Sequence, residues 1–399
     1  MKILIISQYF WPENFKINDI VLGLKERGNE VSVLTGLPNY PHGDFYDGYN
    51  FSSKNEIWEG VKIYRSKLIS RGDGGLRLFI NYISFVIFGW FKVSKIKGDF
   101  DTILVYEPSP VTVGIPAIKA SKKFRAPYFF WVQDLWPQSL TAAGGVKNPL
   151  ILGIFDKITR LIYKKAKKVL VQSDGFKSYI KKQGVEEDKL IFYPNSTESF
   201  YQKKDKVESI DRTLPSGFRI MFAGNLGEAQ SLHTIIAAAS KLKLINDNIK
   251  WIFVGDGRAK ESLLKQIEEN NLADTVYLVG SYPSEKMPDF FSCADVLIAS
   301  LKSDPIFALT IPSKIQSYLA CGKPILASLD GEGAYVIEKA KCGYSSNAED
   351  SLALANNVIK MFNHSQQERE SMGNNAIEYF NKNFERELLL DRLEEILKN

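Results

Sequence analysis

The amino-acid sequence predicts two doubly wound α/β domains, each built on a parallel sheet. Three observations predict this. The chain has 399 residues, too many for one ordinary domain. Short apolar, β-branched runs alternate with helical patterns through both halves. The alternation restarts after a polar stretch that begins at Asn195. Apolar residues make up 45% and charged residues 24%, a globular profile with no low-complexity tract.

In order, KILIISQYF reads as the first strand and DIVLGLKERGN as a helix ending at Gly28, a residue suited to a left-handed cap. EVSVLTG, TILVY, PYFFWVQD and KVLVQS continue the series. ILII and TILV are apolar without alternation, as strands covered on both faces must be. RIMFAG, KWIFVG, VYLVG, DVLIAS and PILAS are the strands of the second half. Between them, SLHTIIAAASKLKLI, AKESLLKQIEEN, SEKMPDFFSCA and SKIQSYLACG have helical spacing. The boundaries that follow are residues 1–197 and 198–383, with a last helix over 384–399 packing back on the first domain. The carboxyl ends of both sheets are expected to face one another across a cleft, where open α/β sheets bind ligands.

Charge is uneven: residues 1–200 carry +9 and the remainder −4. A basic first half suits an anionic acceptor or membrane surface. The apolar run Leu78 to Phe91 falls short of the ~20 residues needed to span a bilayer. With Trp90, Phe91, Lys92, Lys95 and Lys97, and the lysines at 164, 165, 167 and 168, it fits an interfacial position. Cys293, Cys321 and Cys342 form no close pairs, which suits a reducing compartment. His42, His233 and His364 are scattered, so no metal cluster is expected.

Two glycine turns in the second half carry the chemistry. Gly224-Asn225-Leu226-Gly227 follows a strand and leads to Gln230 and a helix start near Ser231. Gly255-Asp256-Gly257 repeats the device. Glycine lets backbone approach an anion, and free N–H groups at a helix start can bind phosphate. Tyr282 and Pro283 follow a strand where a base could rest. Pro312 and Ser313 read as a helix start, with Ser313 able to cap and Lys314 in the first turn. A cation is unfavourable there by dipole alone, so Lys314 is expected to share an anion with the helix terminus. The first strand runs into FWPENFKIN with no G-x-G-x-x-G turn, which argues against nicotinamide dinucleotide binding.

GNLG, VGDG, GSYPSEKMPDFFSCADVLIAS and PSKIQSYLACGKPILAS occur in an order that resembles the GT-B retaining glycosyltransferases, family four. The resemblance covers nearly the whole chain and implies two Rossmann-like domains. YFWPE, TGLPNYP and VQDLWP are similar to a bacterial O-antigen and capsule branch that transfers N-acetyl-L-fucosamine from its UDP form. That likeness implies a UDP-sugar donor, an undecaprenyl-diphosphate-linked acceptor, no metal or other cofactor, no nucleic acid, and a peripheral position on the cytoplasmic membrane face. Asn225 and Gln230 stand where the family commonly has Arg and Lys, and Leu309 and Ser317 where it has two Glu. Gln133 stands where many members have His. Lys314 is then the expected diphosphate cation, Ser317 the ribose contact and Asp134 the polar group near the sugar. Glu13, Asn39, Tyr40 and His42, with Asp44 nearby, are expected on the acceptor side. A UDP-sugar epimerase on the same plan, or a non-catalytic sugar-nucleotide binder, would also fit these motifs.

Overall fold

The computed structural model describes residues 1–399 except Lys54, Asp73, Gly145 and Lys147, and the side chains of residues 142–144. The chain forms two units: residues 1–193 with 390–399, and residues 194–389.

The first unit runs β1 (Lys2–Ile6), α1 (Lys16–Glu26), β2 (Glu30–Thr35), β3 (Glu56–Trp58), β4 (Val61–Arg65), α2 (Gly75–Lys95) and β5 (Thr102–Glu107). It continues through α3 (Gly114–Phe124), β6 (Tyr128–Val132), α4 (Gln138–Gly144), α5 (Pro149–Lys165), β7 (Lys168–Val171), α6 (Gly175–Lys182) and β8 (Leu190–Phe192). The sheet order is β3-β4-β2-β1-β5-β6-β7-β8, and only the edge pair β3–β4 is antiparallel. β1, β5 and β6 are almost wholly buried, which explains their unbroken apolar runs.

The second unit contains α7 (Glu208–Asp211), β9 (Phe218–Ala223), α8 (Leu232–Lys243), β10 (Ile249–Val254), α9 (Lys260–Glu269), β11 (Val276–Gly280), α10 (Met287–Ser292) and β12 (Val296–Ser300). Then follow α11 (Pro305–Ala308), α12 (Ser313–Ala320), β13 (Ile325–Ser328), α13 (Glu332–Ala340), β14 (Gly343–Ser346), α14 (Ser351–Asn363) and α15 (Gln366–Asn383). Its all-parallel sheet has the order β11-β10-β9-β12-β13-β14, which reverses between β9 and β12. The first sheet reverses at β1 and β5. Loops at the carboxyl ends beside these reversals diverge to opposite faces and leave a crevice. The core of this unit packs Ile220, Phe222 and Trp251 against Ile235, Leu242 and Val358.

Strands β3, β4, β8 and β14 are absent from the pattern reading. EIW, LIF and GYSS are short edge segments without a continuous apolar run. Helix α2 differs from the sequence expectation too. Its 21 residues extend the apolar run on both sides, so by length and composition it could cross a membrane. Instead one face packs inward through Asn81, Tyr82, Phe85, Gly89 and Val93. Gly89 lets the helix close on Pro116 of α3, whose ring would lie 3.2 Å from an added Cβ.

The last helix, α16 (Arg386–Lys398), places Leu390, Leu393 and Leu397 in the first unit's core. Arg27, at the end of α1, pairs with Asp391 and Glu394, and Asn29 donates to Glu394 at 2.6 Å. Leu393 is fully buried, so Leu393→Ala should destabilise the chain by about 2–5 kcal/mol. Urea denaturation would measure this; a loss under about 0.5 kcal/mol would contradict the packing.

Candidate functional site

Two glycine loops make the floor of a cleft in the second unit. Gly224 follows β9 with φ +128°, and Gly255 follows β10 with φ +151°. The Gly224 N–H donates to the Val254 carbonyl at 2.8 Å, and the Gly255 N–H to Gly280 at 2.8 Å. A Cβ on Gly255 would collide with the Gly224 carbonyl, so only glycine permits this backbone-on-backbone contact. The resulting cleft has a volume of about 520 Å³ and sits at the carboxyl end of the sheet, beside its reversal.

Lys314 enters this cleft from the first turn of α12. Its ammonium donates to the Gln230 amide oxygen and lies 3.7 Å from the Phe222 ring centroid. Among the described residues no carboxylate pairs with it. Burial pushes the Lys314 ammonium down to about 7. Pro312, not Ser313, is the N-cap of α12; Ser313 is already helical and its side chain makes no capping bond. The N–H groups of Ser313 and Lys314 find no protein acceptor among the described residues. An open helix start and an amine without a carboxylate partner among the described residues both favour a negative group.

Gly224, Asn225, Gln230, Gly255, Asp256, Tyr282, Ser313, Lys314 and Ser317 all line the cleft. Tyr282 is exposed there, its ring 4.6 Å from Phe290, and offers a flat apolar platform. Asp256 is spent on its own loop: it accepts from the Gly257 N–H at 2.7 Å and pairs with Lys260 at 2.9 Å. Four expected residues are not among the lining. Leu226 turns into the core, and its N–H is taken by the Asp256 carbonyl at 2.8 Å. Gly227 lines a different hollow with His233 and Arg258. Pro283 and Pro312 shape the entries to a short turn and to α12. α8 begins at Leu232, where the sequence pattern sets it, yet its start does not serve this cleft. A 3₁₀ turn, Glu228–Gln230, and a left-handed Ser231 intervene, and α8 begins beside the second hollow. The helix start that serves the cleft is therefore that of α12. Tyr201, which the motifs do not mark, also lines the cleft, with its hydroxyl facing Ser317. Ser317 shares a 2.9 Å hydrogen bond with Thr197.

In the first unit, Asp134 stands just past β6, and burial raises its carboxyl to about 6. Glu107, the last residue of β5, is fully buried and carries no hydrogen bond on either carboxyl oxygen. The backbone N–H groups of Asp134, Gln133 and Ser109 face it and offset part of the burial, and the Gln133 N–H donates to the Glu107 backbone carbonyl at 3.1 Å. Burial and then the Asp134 charge push its carboxyl well above the usual range. An unbroken apolar strand gave no sign of this acid.

Glu13 and Asn39 do not offer themselves to an acceptor. The Glu13 carboxylate accepts the N–H groups of Asn39 and Tyr40, both at 2.8 Å, and of Phe10 at 3.2 Å. Asn39 donates to Leu37 and accepts from Arg71 and Asn81. Both are buried and clamp the loops after β1 and β2 together. Tyr40 is 37% exposed, and His42 and Asp44 are exposed. Among the described residues no three His, Cys, Asp or Glu side chains group as metal ligands.

The model for the glycosyl transferases group 1 family matches residues 203–379, and the glycosyl transferase 4-like domain matches residues 16–196. The chain is 24% identical over 355 residues to a probable glycosyltransferase, WbjE, of Pseudomonas aeruginosa, covering 87% of this chain and 83% of that protein. It is 24% identical over 339 residues to WcaI of Escherichia coli, provisionally named a colanic acid biosynthesis glycosyl transferase, covering 81% and 82%. Among solved structures it resembles Anabaena HepE in complex with UDP, with a TM-score of 0.69 at 15% identity, over 100% and 99% of the two chains.

Lys314 has a testable signature. Its folded pKa lies below the unfolded value, so the unfolded chain binds more protons above pH 7. The native chain should therefore gain stability as pH rises toward 10, and Lys314→Met should lack that gain. Urea denaturation of both at pH 7 and 9 should show a difference on the order of 1–2 kcal/mol. Parallel pH profiles would place the ammonium in water.

Proposed function

We propose that this chain, whose halves match the group 1 glycosyl transferase and glycosyl transferase 4-like models and whose fold is GT-B, moves a sugar from a UDP-sugar to a lipid-diphosphate-linked acceptor in bacterial surface polysaccharide synthesis. N-acetyl-L-fucosamine, or a related N-acetylated sugar, is the donor sugar of this reading, and the anomeric configuration is retained. The observation that carries it is the cleft where Lys314, without a counter-ion, meets the open start of α12. A pyrophosphate would supply the missing negative charge. The UDP named in the HepE complex and the polysaccharide role named for WcaI support the same reading.

In the reaction, the bond from the anomeric carbon to the phosphate oxygen breaks and a bond to the acceptor oxygen forms on the same face. Negative charge grows on the departing phosphate. Lys314 and the α12 N–H groups stabilise that charge more than the ground state, which lowers the barrier. Binding an anion also returns the amine to its ammonium form. No metal is needed for this step. The acceptor hydroxyl gives its proton to the leaving phosphate oxygen. Asp134 is ionised above pH 6 and orients a sugar hydroxyl. Tyr282 holds the base, and Ser317 with Tyr201 meets the ribose.

Screening UDP-sugars against a prenyl-diphosphate-linked sugar, with EDTA present, tests the assignment. Lys314→Ala should lower turnover about 100-fold or more, as losing one charge-stabilising donor does. Asp134→Asn should impair turnover while UDP still binds by calorimetry. UDP-sugar consumed and isomerised without acceptor would instead mark an epimerase.

The membrane side of the reading rests on α2 and α5. Leu76, Ile80, Ile87 and Phe91 form an exposed stripe on α2, opposite its buried face. Leu150, Ile154 and Leu161 are exposed on α5, which touches α2 through Phe79 and Phe155. Lys119 lies 4.7 Å from the Trp90 ring, and Lys164 and Lys165 end α5. Apolar stripes rimmed by lysine suit an anionic lipid surface. The chain should float with anionic liposomes at low salt, and Ile87→Glu with Phe91→Glu should weaken this about tenfold. Equal flotation of the variant would remove α2 from the interface.

A further inference from the structure

Arg71 is the outstanding unexplained charge of the first unit. It lies half-buried past β4, in the loop before α2. Its guanidinium sits 5.0 Å from the Tyr40 ring centroid and 5.9 Å from that of Tyr9. One terminal nitrogen, Nη1, donates to the Tyr9 hydroxyl at 3.2 Å. Among the described residues no carboxylate pairs with it, and its Nε and Nη2 have no protein acceptor. Arg77 adjoins the same loop: its Nε would lie 2.7 Å from a Cβ on Gly72, and it too lacks an acidic partner among the described residues. A half-buried guanidinium ordinarily has an anion, since desolvating an unpaired charge is costly.

The surroundings say what kind of anion. Tyr9 follows β1 and Ser109 follows β5, the two strands at which the first sheet reverses. The buried Tyr82 hydroxyl faces both of theirs. Arg71 and Asp134 act on that same phenol with opposite sign. So a basic fork and an acid lie around one hydroxyl cluster at the binding end of this sheet. A ligand there meets guanidinium at one part and carboxylate at another. A sugar phosphate has that polarity: anionic oxygens at one end and hydroxyl donors at the other. With Arg71 beside the Tyr40 and Tyr9 rings and Nη1 on the Tyr9 hydroxyl, Nε and Nη2 remain for two oxygens.

We propose that Arg71, with the Tyr9 and Tyr82 hydroxyls, binds phosphate oxygens of the acceptor at the β1/β5 reversal of the first unit. This rests on the acceptor reading above and names the group that reads the acceptor's linker. Arg71 is a binding residue, and its loss acts on acceptor affinity. Glu13 has a supporting place: by clamping the Asn39–Tyr40 backbone it fixes the ring on which Arg71 lies.

The test compares wild type, Arg71→Gln and Arg71→Lys on two acceptors carrying one sugar, on a prenyl diphosphate and on a neutral alkyl ether. Arg71→Gln should raise KM for the diphosphate acceptor at least tenfold, leave the neutral acceptor within twofold, and leave UDP affinity unchanged. Arg71→Lys should recover part of the loss, having charge without the fork. Equal loss on both acceptors, unchanged KM, or weakened UDP binding would each overturn the inference. Wild-type inactivity on every acceptor would sink the transferase reading instead. Titration of the UDP-saturated chain with farnesyl diphosphate then still decides: binding at least tenfold weaker in Arg71→Gln supports the site, and equal binding refutes it. Thermal melting of each variant confirms that it is folded.

Discussion

The constraint on which the second unit depends is an amine kept from water with no carboxylate partner among the described residues. Lys314 could be neutralised by a neighbouring carboxylate, and the shift to about 7 would vanish. Nature of the partner matters: a neutral amide, Gln230, and an aromatic face, Phe222, hold the ammonium in position without discharging it. The glycine loops serve the same end. Gly224 passes beneath the lysine, where a Cβ would lie 2.9 Å from its Cε. The sheet reversal, the glycine crossing and the α12 start together hold one positive site open.

The first unit inverts this chemistry. Its crevice residues include acids that burial holds toward the neutral form: Glu107 strongly, Glu13 to about 7 and Asp134 to about 6. They differ in their hydrogen bonds. Glu13 accepts three well-formed backbone hydrogen bonds, while Glu107 is more deeply buried and also feels the Asp134 charge. Those bonds pull Glu13 back toward the ionised form against its burial. Asp134 keeps some access to solvent, which fits a group that meets a substrate.

The alternation of strands and helices, the glycine turns and the position of Lys314 were legible because each is written in local sequence. An apolar run such as TILVY can only be a covered strand here, and Gly255 marks a place where no side chain fits. Side-chain direction was not legible. Leu226 lies inside a glycine loop that does line the cleft, yet its own side chain faces the core. Glu13 and Asn39 look like surface polar residues in FWPEN and LPNY, but they find each other's loops across 26 residues. Arg71 stood in a glycine-rich segment with no motif, and only the approach of Tyr9 and Tyr40 gives it a role. Each failure is a contact between segments distant in sequence.

The return of residues 390–399 to the first unit has a consequence for synthesis. That unit's hydrophobic interior stays unfinished while everything from 194 to 389 is being made. Arg27 waits meanwhile without Asp391 and Glu394. The intervening unit is continuous, so it can mature first although it emerges later. Only when the tail arrives do Leu390 and Leu393 seal the earlier half. A chain interrupted before the last helix would thus hold an unsealed first unit beside a complete second one.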